Sequence, residues 1–401
     1  APEEIASIEV LRGPSAATLY GTEASQGVVN IITKRGQAGA PQVNVSVRQG
    51  IATYISPEKI FPTNYWTHPN GTVFPYNLIT DSPEGPDAFR DGHLSTYTAS
   101  VAGGSEDLTY YLMTSYTDDK GQLKNNWNKR FNTRLNLDMR PMENLSVSAG
   151  LSFVKNDIAQ ATRYGIVRGL VHAHAGNLPE NRCLTQAMPQ CEYYRGWSSW
   201  GGVPEATEST QYTQHVMRSI GTFTIAHTPY TWLSNRINVG YDVTDEQNLQ
   251  LRPYQTADSV KFFLGRHFDG FRDNTRHQRY NTTLDAASSL DFSLSDGIAS
   301  TTSFGMQYYS KKTETIRAKG EDFPGPGLLT IEATGAQTVS FDTFEENATL
   351  GFYAQQVFGL GDRLFLTGAV RVDNNSAFGD EIMWVTYPKA SVSYVLHEEP
   401  W

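Results

Sequence analysis

Residues 131–140 read Phe131-Asn132-Thr133-Arg134-Leu135-Asn136-Leu137-Asp138-Met139-Arg140. In an extended chain successive side chains point to opposite sides, so Phe131, Thr133, Leu135, Leu137 and Met139 share one face while Asn132, Arg134, Asn136, Asp138 and Arg140 share the other. A helix would mix the two sets. The same division recurs nearby, with Leu145, Val147, Ala149, Leu151 and Phe153 opposed to Ser146, Ser148, Gly150 and Ser152. It returns with Leu233, Ile237, Val239, Tyr241 and Val243 against Ser234, Arg236, Asn238, Gly240 and Asp242. The shorter runs Val43, Val45, Val47 and Phe304, Met306, Tyr308 follow the rule too. One face is apolar and the other is wet.

Working outward, the pattern places about twelve strands, near 41–54, 94–103, 107–118, 127–140, 144–156, 213–227, 231–246, 275–293, 298–314, 341–358, 363–374 and 385–396. Their connections alternate in length. Gly104-Ser105-Glu106, Pro141-Met142-Glu143, Thr228-Pro229-Tyr230, Leu294-Ser295-Asp296-Gly297 and Gly359-Leu360-Gly361-Asp362 are tight, and the intervening connections are long. Tight turns at one end and long loops at the other describe an antiparallel barrel in an outer membrane. A large soluble β-sandwich or a β-solenoid would also alternate. Against it stand the strand lengths, the loop-length alternation, and aromatic residues close to the tight turns: Tyr110, Tyr111, Tyr230, Trp232, Phe292 and Phe358. The fold class predicted is all-β, a transmembrane antiparallel β-barrel.

Composition narrows the functional classes. The chain has 401 residues, 39% hydrophobic and 12% aromatic, which excludes a chain too polar to bury itself. Only 18% are charged, below the roughly 25% of a typical soluble protein. A lipid-facing surface accounts for that deficit. The net charge of −10 argues against nucleic acid, whose phosphates demand Lys and Arg. No run of apolar residues reaches the length of a membrane helix. Ala1 stands where Met would, so the start of the chain reads as removed.

No catalytic constellation is present: neither Gly-x-Ser-x-Gly nor His-Glu-x-x-His occurs, and no enzyme activity or cofactor is expected. His172 and His174 are better read as surface histidines than as metal ligands, and Asp373, Asn374, Asn375, Asp380 and Glu381 depart from a calcium-loop spacing. Cys183 and Cys191 enclose seven residues of one long loop. A disulfide between them is favoured over two free thiols, since an outward-facing loop meets an oxidising medium. The same loop carries Tyr193, Tyr194, Trp197 and Trp200, flat faces that stack on sugar rings or hold apolar ligands, or that form a small core for the loop itself.

Residues 1–36 break the barrel pattern. Ile5–Leu11 and Val28–Thr33 read as strands on either side of a short helix opened by Gly13-Pro14 and closed by Gly21, a small βαβ-like piece. Three ordered blocks stand here: Ile8-Glu9-Val10-Leu11-Arg12-Gly13-Pro14, then Leu19-Tyr20-Gly21, then Gly27-Val28-Val29-Asn30-Ile31-Ile32-Thr33-Lys34-Arg35. Together they resemble the end of the plug domain in TonB-dependent outer-membrane receptors. Glu9, Arg12, Gly13, Pro14, Tyr20, Gly21, Gly27 and Asn30 carry that resemblance. Gly36, and Gln26 in place of a family glycine, are more similar to the SusC/RagA branch. So are Asp362-Arg363-Leu364-Phe365-Leu366-Thr367, Arg371, Asp373, Pro388 and the final Glu398-Glu399-Pro400-Trp401, which resemble mid-barrel sequence.

The resemblance implies a barrel of about 22 strands filled by a plug, of which this chain carries the plug's end (1–36) and the first part of the barrel (37–401). It implies import of a large or scarce nutrient, with glycan or peptide favoured, energised by TonB through a TonB box ahead of residue 1. A SusD-like surface lipoprotein and outer-membrane lipid are the other implied partners. Siderophore or cobalamin receptors of the same superfamily, and a passive porin, are the alternatives. Glu9 and Arg12 are expected against wall residues such as Arg134, Asp138, Arg236 or Asp242.

Overall fold

The computed structural model describes residues 2–11, 28–61, 63–67, 71–81, 85, 87–160, 208–258, 260–261, 268–361, 363–378 and 384–396. Twelve strands form one continuous antiparallel sheet. In chain order β1 (Ile5–Leu11) and β2 (Val28–Thr33) pair with each other, and β3 (Gly39–Ala52) begins the large sheet. A hairpin of β4 (Asn64–Thr67) and β5 (Val73–Tyr76) follows. The large sheet then continues through β6 (Gly92–Gly104), β7 (Leu108–Lys120), β8 (Trp127–Met142), β9 (Leu145–Gln160), β10 (Gln211–Tyr230) and β11 (Leu233–Arg252). It ends with β12 (Phe271–Ser295), β13 (Ile298–Glu321), β14 (Ala336–Leu360), β15 (Leu364–Asn375) and β16 (Val385–Tyr394).

After β3 every sheet neighbour is the next barrel strand in sequence, an up-and-down meander without crossovers. Among the described residues β3 and β16 are not paired with each other, so the wall is an open arc. The tight connections occupy residues 105–107, 143–144, 231–232, 296–297 and 361–363, all at one rim. Gly297 and Gly361 supply positive φ there (80° and 58°), a conformation other residues adopt only under strain. The long connections leave from the opposite rim.

The core is inverted relative to a soluble protein. Asn132, Asn136, Ser152, Gln307, Thr349, Arg371 and Asp373 are buried, whereas Phe131, Leu151, Phe223, Val239, Phe304 and Phe352 are exposed. Register assigns the faces. Leu112, Leu135 and Leu151 stand opposite one another on β7, β8 and β9, and continue to Gly221 and Tyr241, all on the outer side. An apolar exterior and hydrogen-bonded polar interior fit strands surrounded by lipid, where every backbone polar group must be paired within the sheet. At the tight-turn rim Tyr230 stacks on Trp232 with ring centroids 5.3 Å apart, and Trp232 on Phe292 at 5.6 Å. This is an aromatic girdle.

The structure corrects several expectations. The strands at either end of residues 5–33 pair antiparallel, with Glu9 opposite Asn30, so they do not form the parallel pair of a βαβ unit. Tyr111 turns inward and is buried, and so stands apart from the girdle. The central strands run longer than their periodic segments: β12 starts at Phe271 and β13 continues to Glu321, because polar side chains on both faces extend the ladder beyond the lipid zone. The first long connection has its own small core of Phe61, Leu78, Ile79 and Ala88, with Phe89 packed against Tyr54 and Phe61. The β4–β5 hairpin within it, only four residues per strand, was invisible to the periodicity.

Candidate functional site

The inner wall is bound into one network. Arg371 on β15 places Nε 3.0 Å and 2.8 Å from the two carboxylate oxygens of Asp373, and both side chains are almost fully buried. From its Nη1, Arg371 donates to Gln307 Oε1 on β13 at 2.6 Å. Gln307 Nε2 donates to Asp285 on β12 at 2.7 Å, and Asn238 on β11 donates to the other oxygen of Asp285 at 3.2 Å. Thr224 on β10 donates to Asn238 at 2.9 Å. The belt therefore crosses from β15 to β10, with β14 contributing space instead of a partner. A Cβ at Gly351 would collide with both Arg371 and Asp373, so glycine is required for the pair to fit.

A second cluster ties the β1–β2 pair to the wall. Glu4 lies 3.7 Å from Arg134 of β8, and both are largely shielded from solvent. Arg35 is ion-paired with Asp138 of β8 and also reaches Ser148 of β9 at 3.3 Å. Asn136 donates to the Lys34 carbonyl at 2.6 Å, and Glu3 stands 3.5 Å from Arg48 of β3. Every one of these wall residues belongs to the inward set on its strand. Polar contacts of this kind can be exchanged for water at modest cost, unlike packed apolar surface. Gly36 completes the junction, since a Cβ there would run into the Tyr110 backbone.

Further along the inner wall is a recess of about 650 Å³ lined by Asn281, Thr283, Tyr309, Lys311, Glu345 and Asn347. These side chains offer hydrogen-bond donors, acceptors and one charge of each sign. Such a surface can hold a polar ligand without altering it chemically. Among the described residues no group of three or more His, Cys, Asp or Glu is placed to hold a metal ion.

Of the residues singled out by sequence, Glu9 and Asn30 are joined by an amide-to-carboxylate hydrogen bond of 3.1 Å across β1–β2. Glu9 thus braces its own hairpin, and the wall contacts expected of it are made by Glu3, Glu4 and Arg35. Arg134 and Asp138 do meet this segment, whereas Asp242 is paired with Arg218. Arg12, Gly13, Pro14, Tyr20, Gly21 and Gly27 lie outside the described residues, as do Cys183, Cys191, Tyr193, Tyr194, Trp197 and Trp200. The belt from Thr224 to Arg371 went unpredicted as a network. Its members sit at inward positions of β10 to β13 and β15, but only the register shows that they are neighbours.

Comparison with known proteins agrees with this geometry. The family described as TonB dependent receptor-like, beta-barrel matches residues 192–399. The TonB-dependent receptor SusC of Bacteroides thetaiotaomicron is 32% identical over 145 residues, covering 34% of this chain and 14% of that protein. TonB-dependent receptor P26 of Formosa agariphila is 23% identical over 430 residues, covering 99% of this chain and 41% of that protein. The RagAB peptide importer in its open-open state superposes with a TM-score of 0.76 at 20% identity, covering 98% of this chain and 48% of that one. The chain thus spans half or less of the length of these relatives. It belongs to the TonB-dependent receptor family of the bacterial outer membrane.

Proposed function

We propose that the protein takes part in TonB-dependent, energy-coupled import of a large or scarce nutrient across the outer membrane, with a glycan or peptide as cargo. The observation that carries this reading is the ionic seam between the residues flanking the β1–β2 pair and the inner wall, Glu4 to Arg134 and Arg35 to Asp138. Residues 1–36 act as the end of a plug and residues 37–401 as the first part of the barrel. A plugged lumen stops free diffusion, so passage requires force on the plug, which TonB supplies through a segment ahead of residue 1. The seam is polar and can part and re-form in a wet lumen.

Cargo is held by polar inner-wall surfaces such as the Lys311 and Glu345 recess, and by Tyr193, Tyr194, Trp197 and Trp200 on a loop fixed by a Cys183–Cys191 disulfide. A SusD-like lipoprotein covers the outer mouth. Likeness in fold to the RagAB peptide importer supports the peptide half of this reading. Uptake of labelled oligopeptides and oligosaccharides by cells with and without the gene, before and after collapse of the proton gradient, tests it. Gene-dependent uptake abolished by collapse is expected. Uptake that survives collapse would indicate a porin, and gene-dependent uptake of ferric siderophore or cobalamin alone would assign the other receptor class.

A further inference from the structure

Among the described residues the apolar lipid-facing wall is broken by polar side chains near the tight-turn rim, as at Thr302 and Gln356, and one such break crosses β10 to β12. His227 on β10 stands opposite Asn235 on β11, and Asn235 opposite Ser288 on β12, so three polar side chains form a row on the outer face. Ser288 donates to Asn235 Oδ1 at 2.7 Å, which leaves the Asn235 Nδ2 amide to donate elsewhere. Polar groups facing hydrocarbon cost free energy unless something satisfies them.

Directly alongside runs a groove of about 910 Å³, its floor and sides formed on the outer face by Ile225, Ile237, Ala286, Phe304, Met306 and Phe352. Small Ala286 lies opposite Ile237 and Met306, and this makes the trough. The groove also climbs. Asn235 is two residues into β11, beside the girdle residue Trp232, whereas Phe352 is eight residues from the tight-turn end of β14. With a rise of about 3.3 Å per residue and strands tilted by about 45°, those six residues amount to roughly 14 Å of depth. One leaflet contributes about half of a hydrocarbon core of roughly 30 Å. Tight turns of such barrels face the periplasm, so His227 and Asn235, three and two residues from the tight-turn ends of their strands, stand at the level of the inner leaflet's glycerol esters, and the groove rises from them, past Ser288, to the level of its acyl chains.

We propose that this face binds one phosphoglyceride of the periplasmic leaflet. Asn235 Nδ2 and the His227 ring donate to its ester or phosphate oxygens, and one acyl chain follows the groove from Ile225 to Phe352. The match of a polar foot at girdle depth with an apolar trough one leaflet high selects this occupant over an apolar protein helix, which would offer the Asn235 Nδ2 amide and the His227 ring no acceptor.

Native mass spectrometry of the full-length protein, extracted in mild detergent, stripped of loose lipid and titrated with phosphatidylethanolamine, tests the site. Wild type is expected to retain one lipid per chain. Ala286→Phe, which fills the trough, and Asn235→Leu, which removes the donor, should each weaken retention about tenfold, or roughly 1.4 kcal/mol. Leu151→Phe, on the lipid face of β9 away from the groove, should leave it unchanged. Folding of each variant is read from resistance to unfolding in dodecyl sulfate, and Ser288→Leu replaces Ala286→Phe if that variant fails to fold. Equal retention by folded groove variants and wild type would overturn the assignment, as would a second copy of the chain or lipopolysaccharide occupying the face in place of phosphoglyceride.

Discussion

The two faces of β8 to β15 are built from the same strands, often from adjacent residues, yet they obey opposite rules. On the outer face Leu151, Phe223, Val239 and Phe352 are left open because lipid is their solvent. On the inner face Arg371, Asp373, Gln307 and Asp285 are drawn into hydrogen bonds because little else there can stabilise their burial. The difference shows that along β8 to β15 apolar contact belongs mainly to the outside, and that the cohesion of the inside is mainly electrostatic.

The sharpest way to break the comparison is at its most buried inner point. Asp373→Ala leaves the Arg371 guanidinium buried without its carboxylate and is expected to cost about 3–5 kcal/mol. Replacing the pair together, Arg371→Met with Asp373→Leu, should cost far less, since no lone charge remains. Urea unfolding in lipid vesicles measures both. On the outer face, Val239→Arg near the middle of the lipid zone should cost about 2–4 kcal/mol in the same assay, while Thr222→Arg on the inner face should cost less than about 1.

A smaller effect is expected where the plug segment meets the wall. Glu4→Gln should weaken its hold by about 1 kcal/mol, read as roughly fivefold faster hydrogen exchange across residues 2–11 and 28–35. Unchanged exchange there would argue that the ion pair does not fasten the segment.

The smallest effect lies beyond the lipid zone. Asp245, past the outer tyrosines Tyr241 and Tyr280, is held below the usual carboxylate range by its hydrogen bonds from Arg276. A carboxyl with a depressed pKa contributes stability above its unfolded value and loses it as pH falls through the folded one. Asp245→Asn should therefore flatten the acid limb of the stability profile slightly and leave neutral pH almost unchanged.

How much of this was legible in the sequence depends on the range of the interactions. The twelve barrel strands followed from alternation in segments such as 131–140 and 145–153, since lipid on one side and water on the other enforce period two. The order of tight and long connections then set the meander. Arg134 and Asp138 could be named as inward residues but not matched to Glu4 and Arg35, because those contacts join residues more than a hundred positions apart. Glu9 was drawn instead to Asn30, its cross-strand neighbour. The Arg371–Gln307–Asp285 belt carries no local signature at all, and the His227–Asn235–Ser288 row looks like ordinary polarity until register aligns it.

The central claim is that these strands face lipid on one side and a polar lumen on the other, and cysteine accessibility along β11 tests it most directly. With Cys183 and Cys191 replaced by serine, Ile237→Cys, Asn238→Cys, Val239→Cys and Gly240→Cys are placed one at a time and treated in membranes with a membrane-impermeant thiol reagent. The structure predicts modification at 238 and 240 once the lumen is open to the reagent, and protection at 237 and 239. Uniform labelling, or labelling of the opposite pair, would contradict it.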